Sequence, residues 1–308
     1  MSAEKSKSTR AGLITCWLSL FLMSSVTGIA GPIMYGGLGG HQSGDSTNDG
    51  SLATIDQTTG AVSIVGHPFE VARISGLDFD INGILYGVTQ GSFPFPPVTP
   101  PSASALIQIN PITGELVSDI GTVKYNGTPI NIADLAAQPG TGVLYGAEGP
   151  NDGLGGQGQL FTIDKTTGAA TLLGNTNSFF DSIAFAPNGT LYLIAADLNF
   201  ADGSLENFRL QTLNPGTASV LTTVSLSEFY GAFGIRPTDG VLFAGNGDGA
   251  KLFTLNPTTG AETFVGSTGT TFVGDVAFLT PEPASMGLVA LGGLGLLLVR
   301  IRRRKPSA

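Results

Sequence analysis

Leu52-Ala-Thr-Ile-Asp-Gln-Thr-Thr-Gly60 decides the reading of this chain, because the phrase returns four times. Its later copies are Leu106-Ile-Gln-Ile-Asn-Pro-Ile-Thr-Gly114, Leu160-Phe-Thr-Ile-Asp-Lys-Thr-Thr-Gly168, Leu210-Gln-Thr-Leu-Asn-Pro-Gly-Thr217 and Leu252-Phe-Thr-Leu-Asn-Pro-Thr-Thr-Gly260. Successive starts lie 54, 54, 50 and 42 residues apart. Each copy reads as a strand that runs into a turn. Asp or Asn opens the turn by bonding its own backbone, and a following Pro presets φ. Gly then takes the left-handed position of a bulged hairpin. A second short strand follows, as at 61–65, 115–120, 169–173 and 261–265. The fourth copy has Ala218 in place of Gly, so its turn is expected to differ.

A second phrase alternates with the first. It is clear in Leu77-Asp-Phe-Asp-Ile-Asn-Gly-Ile-Leu-Tyr86, Ile183-Ala-Phe-Ala-Pro-Asn-Gly-Thr-Leu-Tyr192 and Phe233-Gly-Ile-Arg-Pro-Thr-Asp-Gly-Val-Leu-Phe243. Leu135-Ala-Ala-Gln-Pro-Gly-Thr-Gly-Val-Leu-Tyr145 is the fourth copy. These are hairpins too, with period-2 apolar residues on either side of a Gly turn. One repeat therefore supplies four strands, and no stretch between 31 and 280 has a sustained helical period. Four-stranded units recurring at roughly 50 residues mark a β-propeller. The first repeat lacks its inner strand and starts at Ile33-Met34-Tyr35-Gly36, while Gly274-Asp-Val-Ala-Phe278 is an inner strand with nothing after it. Together they make one blade, which closes the ring and hides its edges. A linear β-solenoid would not need this permuted closure. The expectation is an all-β, five-bladed β-propeller over residues 31–280, closed by its C-terminal strand.

The two ends are different polymers. Residues 1–30 open with Lys5, Lys7 and Arg10, continue with an apolar run at 11–23, and finish in Gly28-Ile29-Ala30. A run of about 13 apolar residues is short of the ~20 needed to span a bilayer. With small residues before a cut after Ala30, it reads as a signal peptide and not as an anchor. Residues 281–308 begin Pro281-Glu282-Pro283, pass through an apolar, Gly-rich stretch at 286–299, and end with Arg300, Arg302, Arg303, Arg304 and Lys305. The prolines isolate this helix from the domain upstream. Its terminal bases form a stop-transfer signal under the positive-inside rule. This order resembles the PEP-CTERM sorting tail of Gram-negative bacteria, over about a tenth of the chain. The resemblance implies recognition at Pro281-Glu282-Pro283 by an exosortase-type membrane enzyme and a transient membrane anchor at the C-terminal helix. It also implies delivery to the cell surface or extracellular matrix, in company with exopolysaccharide. The propeller's turns are similar to those of secreted propellers with Asn-Pro-x-Thr-Gly turns, some in families of unknown function, a likeness that carries no activity. Neither a WD nor a kelch signature is complete.

With the ends set aside, the composition changes. The whole chain has 308 residues and a net charge of −9, but six bases face 21 acids between 31 and 280, a net of −15. That charge excludes a nucleic-acid partner, which would require basic patches. Cys16 and Trp17 are the sole Cys and Trp, and both lie in the signal segment. Disulfides and thiolate chemistry are thereby excluded from the domain. His41 and His67 sit in non-repeating loops, so neither a zinc pair nor a Ser-His-Asp arrangement is readable.

Long irregular loops on a rigid ring are the usual seats of binding. Here they join second to third strands, at 39–50, 91–104, 148–159, 197–207 and 246–250. Four of them carry acids, including Asp45, Asp49, Asp152, Asp202 and Asp248. Oxygen ligands on such loops suit Ca²⁺. The same residues also simply make turns, and no complete calcium-loop spacing is present. The fifth loop, Gly91-Ser-Phe-Pro-Phe-Pro-Pro-Val-Thr-Pro-Pro101, either offers Phe93 and Phe95 to a sugar or peptide or packs them on its blade. No other cofactor is expected. The sequence thus reads as an exported binding or structural module, with polysaccharide or envelope components as partners. The alternative is a secreted carbohydrate-active hydrolase or lyase. It would use the inner-strand carboxyls of Asp78, Asp134, Asp181 and Asp275, since glycoside hydrolysis needs two carboxyls at a defined separation. Asp181 and Asp275 fall at different offsets along their strands, so one acidic ring is not assured.

Overall fold

A computed structural model describes residues 31–39, 48–68, 73–89, 103–149, 158–178, 180–199, 201–246, 251–269 and 272–280, and these form β-strands and turns without a helix. The first blade contains β1 (Ile33–Leu38), β2 (Leu52–Ile55) and β3 (Val62–Gly66). The second is β4 (Ile74–Phe79), β5 (Leu85–Thr89), β6 (Ala105–Ile109) and β7 (Leu116–Thr122). Two short strands follow, β8 (Lys124–Tyr125) and β9 (Thr128–Pro129). The third blade is β10 (Ile132–Ala137), β11 (Leu144–Glu148), β12 (Gln159–Ile163) and β13 (Ala169–Asn175). The fourth is β14 (Phe180–Phe185), β15 (Leu191–Leu198), β16 (Leu205–Leu213) and β17 (Val220–Ser225). The fifth is β18 (Tyr230–Ile235), β19 (Leu242–Asn246), β20 (Lys251–Leu255) and β21 (Glu262–Ser267), and β22 (Val273–Leu279) returns to the first blade.

β22 pairs antiparallel with β1, from Ile33 opposite Leu279 to Leu38 opposite Val273, and so becomes the inner strand of the first blade. The inner strands β22, β4, β10, β14 and β18 pack in that order, and β18 meets β22 to close the ring. The protein is a five-bladed β-propeller.

Five apolar cores follow from this geometry, one between each pair of adjacent blades. The aromatic residue near the start of a second strand, Tyr35, Tyr145 or Phe243, has a defined place in them. Its ring crosses to the residue that ends, or nearly ends, the next inner strand. Tyr35 meets Phe79 at 5.4 Å between ring centroids, Tyr145 meets Phe185 at 5.0 Å, and Phe243 meets Phe278 at 5.6 Å. Tilted and edge-on pairs of this kind add about 0.5–1.5 kcal/mol beyond burial.

The outer hairpins work as the repeated phrase suggests, with one correction. Oδ1 of Asp56 accepts the N–H of Thr58 at 2.8 Å and of Thr59 at 2.9 Å, and Asp164 and Asn256 repeat the pattern. Gly60 closes the turn at φ +73° by donating its N–H to the Asp56 carbonyl. The fourth turn does not differ as expected: Ala218 adopts φ +57° and donates to Asn214 at 2.9 Å. Its methyl is fully buried in the core between the third and fourth blades, which offsets the cost of the left-handed backbone.

The third blade is wider than four strands. β8 pairs parallel with the outer strand β13, and β9 pairs with β8. Asn126 and Gly127, at φ +50° and +80°, make the turn between them, the familiar Asn-Gly hairpin signal.

Candidate functional site

The inner strands have no partner strand on the side facing the channel, so their N–H groups must find acceptors elsewhere. The inner-strand carboxyls supply them. On β22, Asp275 accepts the N–H of Leu77 on β4 at 2.5 Å and of Val276 at 2.7 Å. Asp78 on β4 accepts the N–H of Ala137 on β10 at 2.7 Å and of Phe79 at 2.8 Å. Asp134 on β10 accepts the N–H of Ile183 on β14 at 2.7 Å and of Leu135 at 2.7 Å. From β14 to β18 the stitch is a hydroxyl, Ser182 donating to the Gly231 carbonyl at 3.0 Å. Asp275 also faces the N–H of Phe233 on β18 at 3.5 Å, the last seam.

Three of the four acids singled out in the sequence therefore join blades. They sit at two levels along the channel. Asp134 and Asp275 occupy equivalent positions, one residue before the inner-strand Leu135 and Val276, and each is only 1% exposed. Their carboxyls are hydrogen-bonded to each other. Burial pushes Asp134 up to about 7, and burial with the Asp134 charge pushes Asp275 well above the usual carboxylate range. Two such groups in direct contact share a proton, since both cannot ionise together at low dielectric. Asp78 lies one residue past the equivalent Leu77. Burial raises it to about 7, against the pull of its two N–H donors. Asp181 is on β14 opposite Ala195, one position before Ser182.

Asp78 opens into a cavity of about 720 Å³ at the end of the channel where the inner strands finish. Phe79, Phe185, Ile235 and Phe278 line it, and Asp80 shares its wall. The Asp80 carboxyl goes the other way from Asp78. Burial would raise it, but Lys165 at 2.8 Å and the N–H groups of Ile84 and Asn82 hold it below the usual range. Lys165 belongs to the neighbouring blade's outer turn, so this ion pair is a further link between blades.

Among the loop acids, Asp202 caps its own turn, accepting the Ser204 N–H at 2.9 Å and hydroxyl at 2.7 Å, which lower its pKa. The Asp49 carbonyl bonds His67 Nε2 at 2.6 Å. Asp45, Asp152 and Asp248, the loop with Phe93 and Phe95, the first 30 residues and the stretch from Pro281 onward lie outside the described residues. Among the described residues, no three His, Cys, Asp or Glu side chains group as a metal site.

The β22 strand that closes the ring ends at Leu279, and a sequence family begins on that residue. Residues 279–304 are a PEP-CTERM protein-sorting motif. The PEP-CTERM motif contains Pro281, Glu282, Pro283, Arg300, Arg302, Arg303 and Arg304, the residues on which the resemblance was drawn. It implies a C-terminal transmembrane tail, processing by an exosortase-type enzyme, and export under a surface-directed signal in Gram-negative bacteria. The chain is similar at 12% identity to a chain of the nidogen/laminin complex, with a TM-score of 0.50 over 82% of this chain and 100% of that one. A protein of unknown function from Bacteroides caccae matches at 12% identity and TM-score 0.45, over 82% and 100% of the two chains. Glutaminyl cyclase from Myxococcus xanthus matches at 16% and 0.39, over 66% and 69%. At these identities the first likeness speaks to the fold alone, and the other two add nothing to it. No curated protein matches the chain.

Sequence reasoning missed two participants. Ser182 stands where Asp134 and Asp275 stand in their blades, and alignment of the inner strands on Leu135, Ile183 and Val276 exposes that. Arg73 carries no repeat signal at all.

Proposed function

We propose that this protein is an exported propeller that acts at the cell surface or in the extracellular matrix as a binding or structural module associated with exopolysaccharide. The observation that carries this reading is the junction at Leu279, which is both the last residue of the ring-closing strand and the first of the PEP-CTERM motif. The ring is therefore the cargo of that signal. An N-terminal signal peptide, cleaved after Ala30, supplies entry to the export route. The carboxyls at the ring's centre spend both oxygens on backbone N–H groups of two strands, which supports a rigid scaffold. A second reading, a carbohydrate-active hydrolase or lyase, is favoured by Asp78, whose raised carboxyl opens into the cavity beside the ionised Asp80.

One experiment tests both. Deleting 281–308 should move the protein from the envelope to the medium, and retention at the envelope would contradict the sorting role. The released protein is then offered a panel of polysaccharides. Retention of a polymer without cleavage supports the module. Release of reducing ends that disappears in Asp78→Asn supports the enzyme.

A further inference from the structure

Six bases lie between 31 and 280, and five of them are conventionally placed. Lys165, Arg209 and Arg236 pair with Asp80, Asp197 and Asp239, and Lys124 and Lys251 are exposed. Arg73 is the exception. Among the described residues it has no ion pair and no hydrogen bond, and its Nε is buried without a partner. Its guanidinium lies over the ring of Phe272, 5.7 Å from the centroid. Burial lowers its pKa to about 10, while the Asp49 charge, beyond ion-pair distance, pulls it back up.

The place of this side chain matters as much as its isolation. Arg73 comes directly before β4 and Phe272 directly before β22, two inner strands that pack side by side. Both therefore stand at the end of the channel opposite the cavity, where the long loops leave. Asn246 belongs to the same end. It closes β19, which packs against β22, and its Oδ1 has no partner although the residue is only 8% exposed. The buried Nε of Arg73 and the buried amide oxygen of Asn246, each lacking a partner, are costly to leave so. One needs an acceptor, and the other a donor.

An anion would satisfy Arg73, and a planar carboxylate fits its fork of N–H groups best. A hydroxyl beside that carboxylate would donate to Asn246, and Phe272 gives a flat apolar floor for the ring that bears both. The net charge of −15 over residues 31–280 repels a densely charged polymer. A carboxylate set among neutral sugars escapes that repulsion. We propose that Arg73, Phe272 and Asn246 form a binding site for isolated uronic-acid units of a glycan. This rests on the matrix-module reading and specifies its ligand chemistry.

The test uses the full chain in detergent, titrated calorimetrically with glucuronate, glucose and acetate at fixed ionic strength. Glucuronate should bind more tightly than acetate, and glucose should not register. Arg73→Met should weaken glucuronate at least tenfold while melting at or above the wild-type temperature, because a buried N–H without an acceptor is gone. Asn246→Ala should bring glucuronate down to the level of acetate with Arg73 untouched, so the site can be judged even if Arg73→Met does not fold. Acetate binding as tightly as glucuronate identifies a bare carboxylate site and overturns the sugar assignment. Glucuronate binding that is absent, or unchanged in both variants, overturns the site. If the wild type then still retains a polysaccharide, only this site has failed; if it retains none, the reading beneath it has failed too.

Discussion

The seams between blades are held in opposite ways at their inner and outer radii. Near the axis, strand edges converge with N–H groups that no further strand can pair, and the chain fills the gap with acceptors. Asp275, Asp78 and Asp134 each reach one blade forward to do so. At the rim, the next blade's outer turn presses on the preceding outer strand, and the chain makes room by removing side chains. Gly66, Gly174 and Gly266 lie against the carbonyl oxygens of Thr113, Thr217 and Thr59, where an added Cβ would overlap those atoms. The inner seam thus depends on a group being present, and the outer seam on one being absent. Polar satisfaction governs where backbone is left unpaired, and close packing governs where it is already paired.

That contrast can be broken at either radius. Asp134→Ala should have the largest effect, because it orphans the N–H groups of Leu135 and Ile183 and removes the partner of Asp275. A loss of about 4 kcal/mol is expected from urea unfolding; a loss below about 1 kcal/mol would show that the inner seam does not depend on the carboxyl. Gly266→Ala should cost about 3 kcal/mol through overlap with the Thr59 carbonyl. Gly231→Ala is its control, since the added methyl would meet only the Phe229 ring at 3.7 Å. Equal costs for the two would remove the steric account of the rim.

The pH dependence sharpens the contrast further. Asp78 and Asp134 titrate at about 7 in the folded ring and near 4 when unfolded. Between those values the folded state holds protons that the unfolded state has released. Stability should therefore fall as pH rises from 4 to 7, by about 1.4 kcal/mol per unit for each proton so held, and fall further while Asp275, raised well above the usual carboxylate range, still holds its proton. Below 4 the rim takes over. Asp56 and Asp164, drawn down to about 2 by hydrogen bonds from Thr58 and Thr166, lose their contribution as they protonate. Melting temperature should peak near pH 4. A peak at neutral pH would mean that the inner carboxyls are ionised in the fold.

What the sequence discloses follows the same radial division. The outer hairpins are local, so Asp56 to Gly60 can be read as a turn from five adjacent letters. The missing first strand and the orphan at Gly274 to Phe278 are enough to foresee the closure. Local reading went too far at Ala218, where a buried methyl compensates a backbone that Gly would adopt freely. The inner seam joins residues far apart in the chain, Leu77 to Asp275 and Asp134 to Ile183. Nothing in either neighbourhood names the other, so the bond from each acid to the next strand's N–H cannot be read from adjacent letters. Arg73 is illegible for a related reason, because isolation is a property of space and not of spacing.

The shared residue Leu279 has a mechanical meaning. The end of β22 and the start of β1 lie opposite one another, Leu279 beside Ile33. A tether attached beyond 279 hangs from β22, so any load on it falls first on the ladder with β1 that completes the ring. Synthesis sets an order as well. The first blade waits with an open inner edge until residues 273–279 have emerged, and the sorting signal comes out only behind them. The address is thus delivered after the strand that locks its cargo.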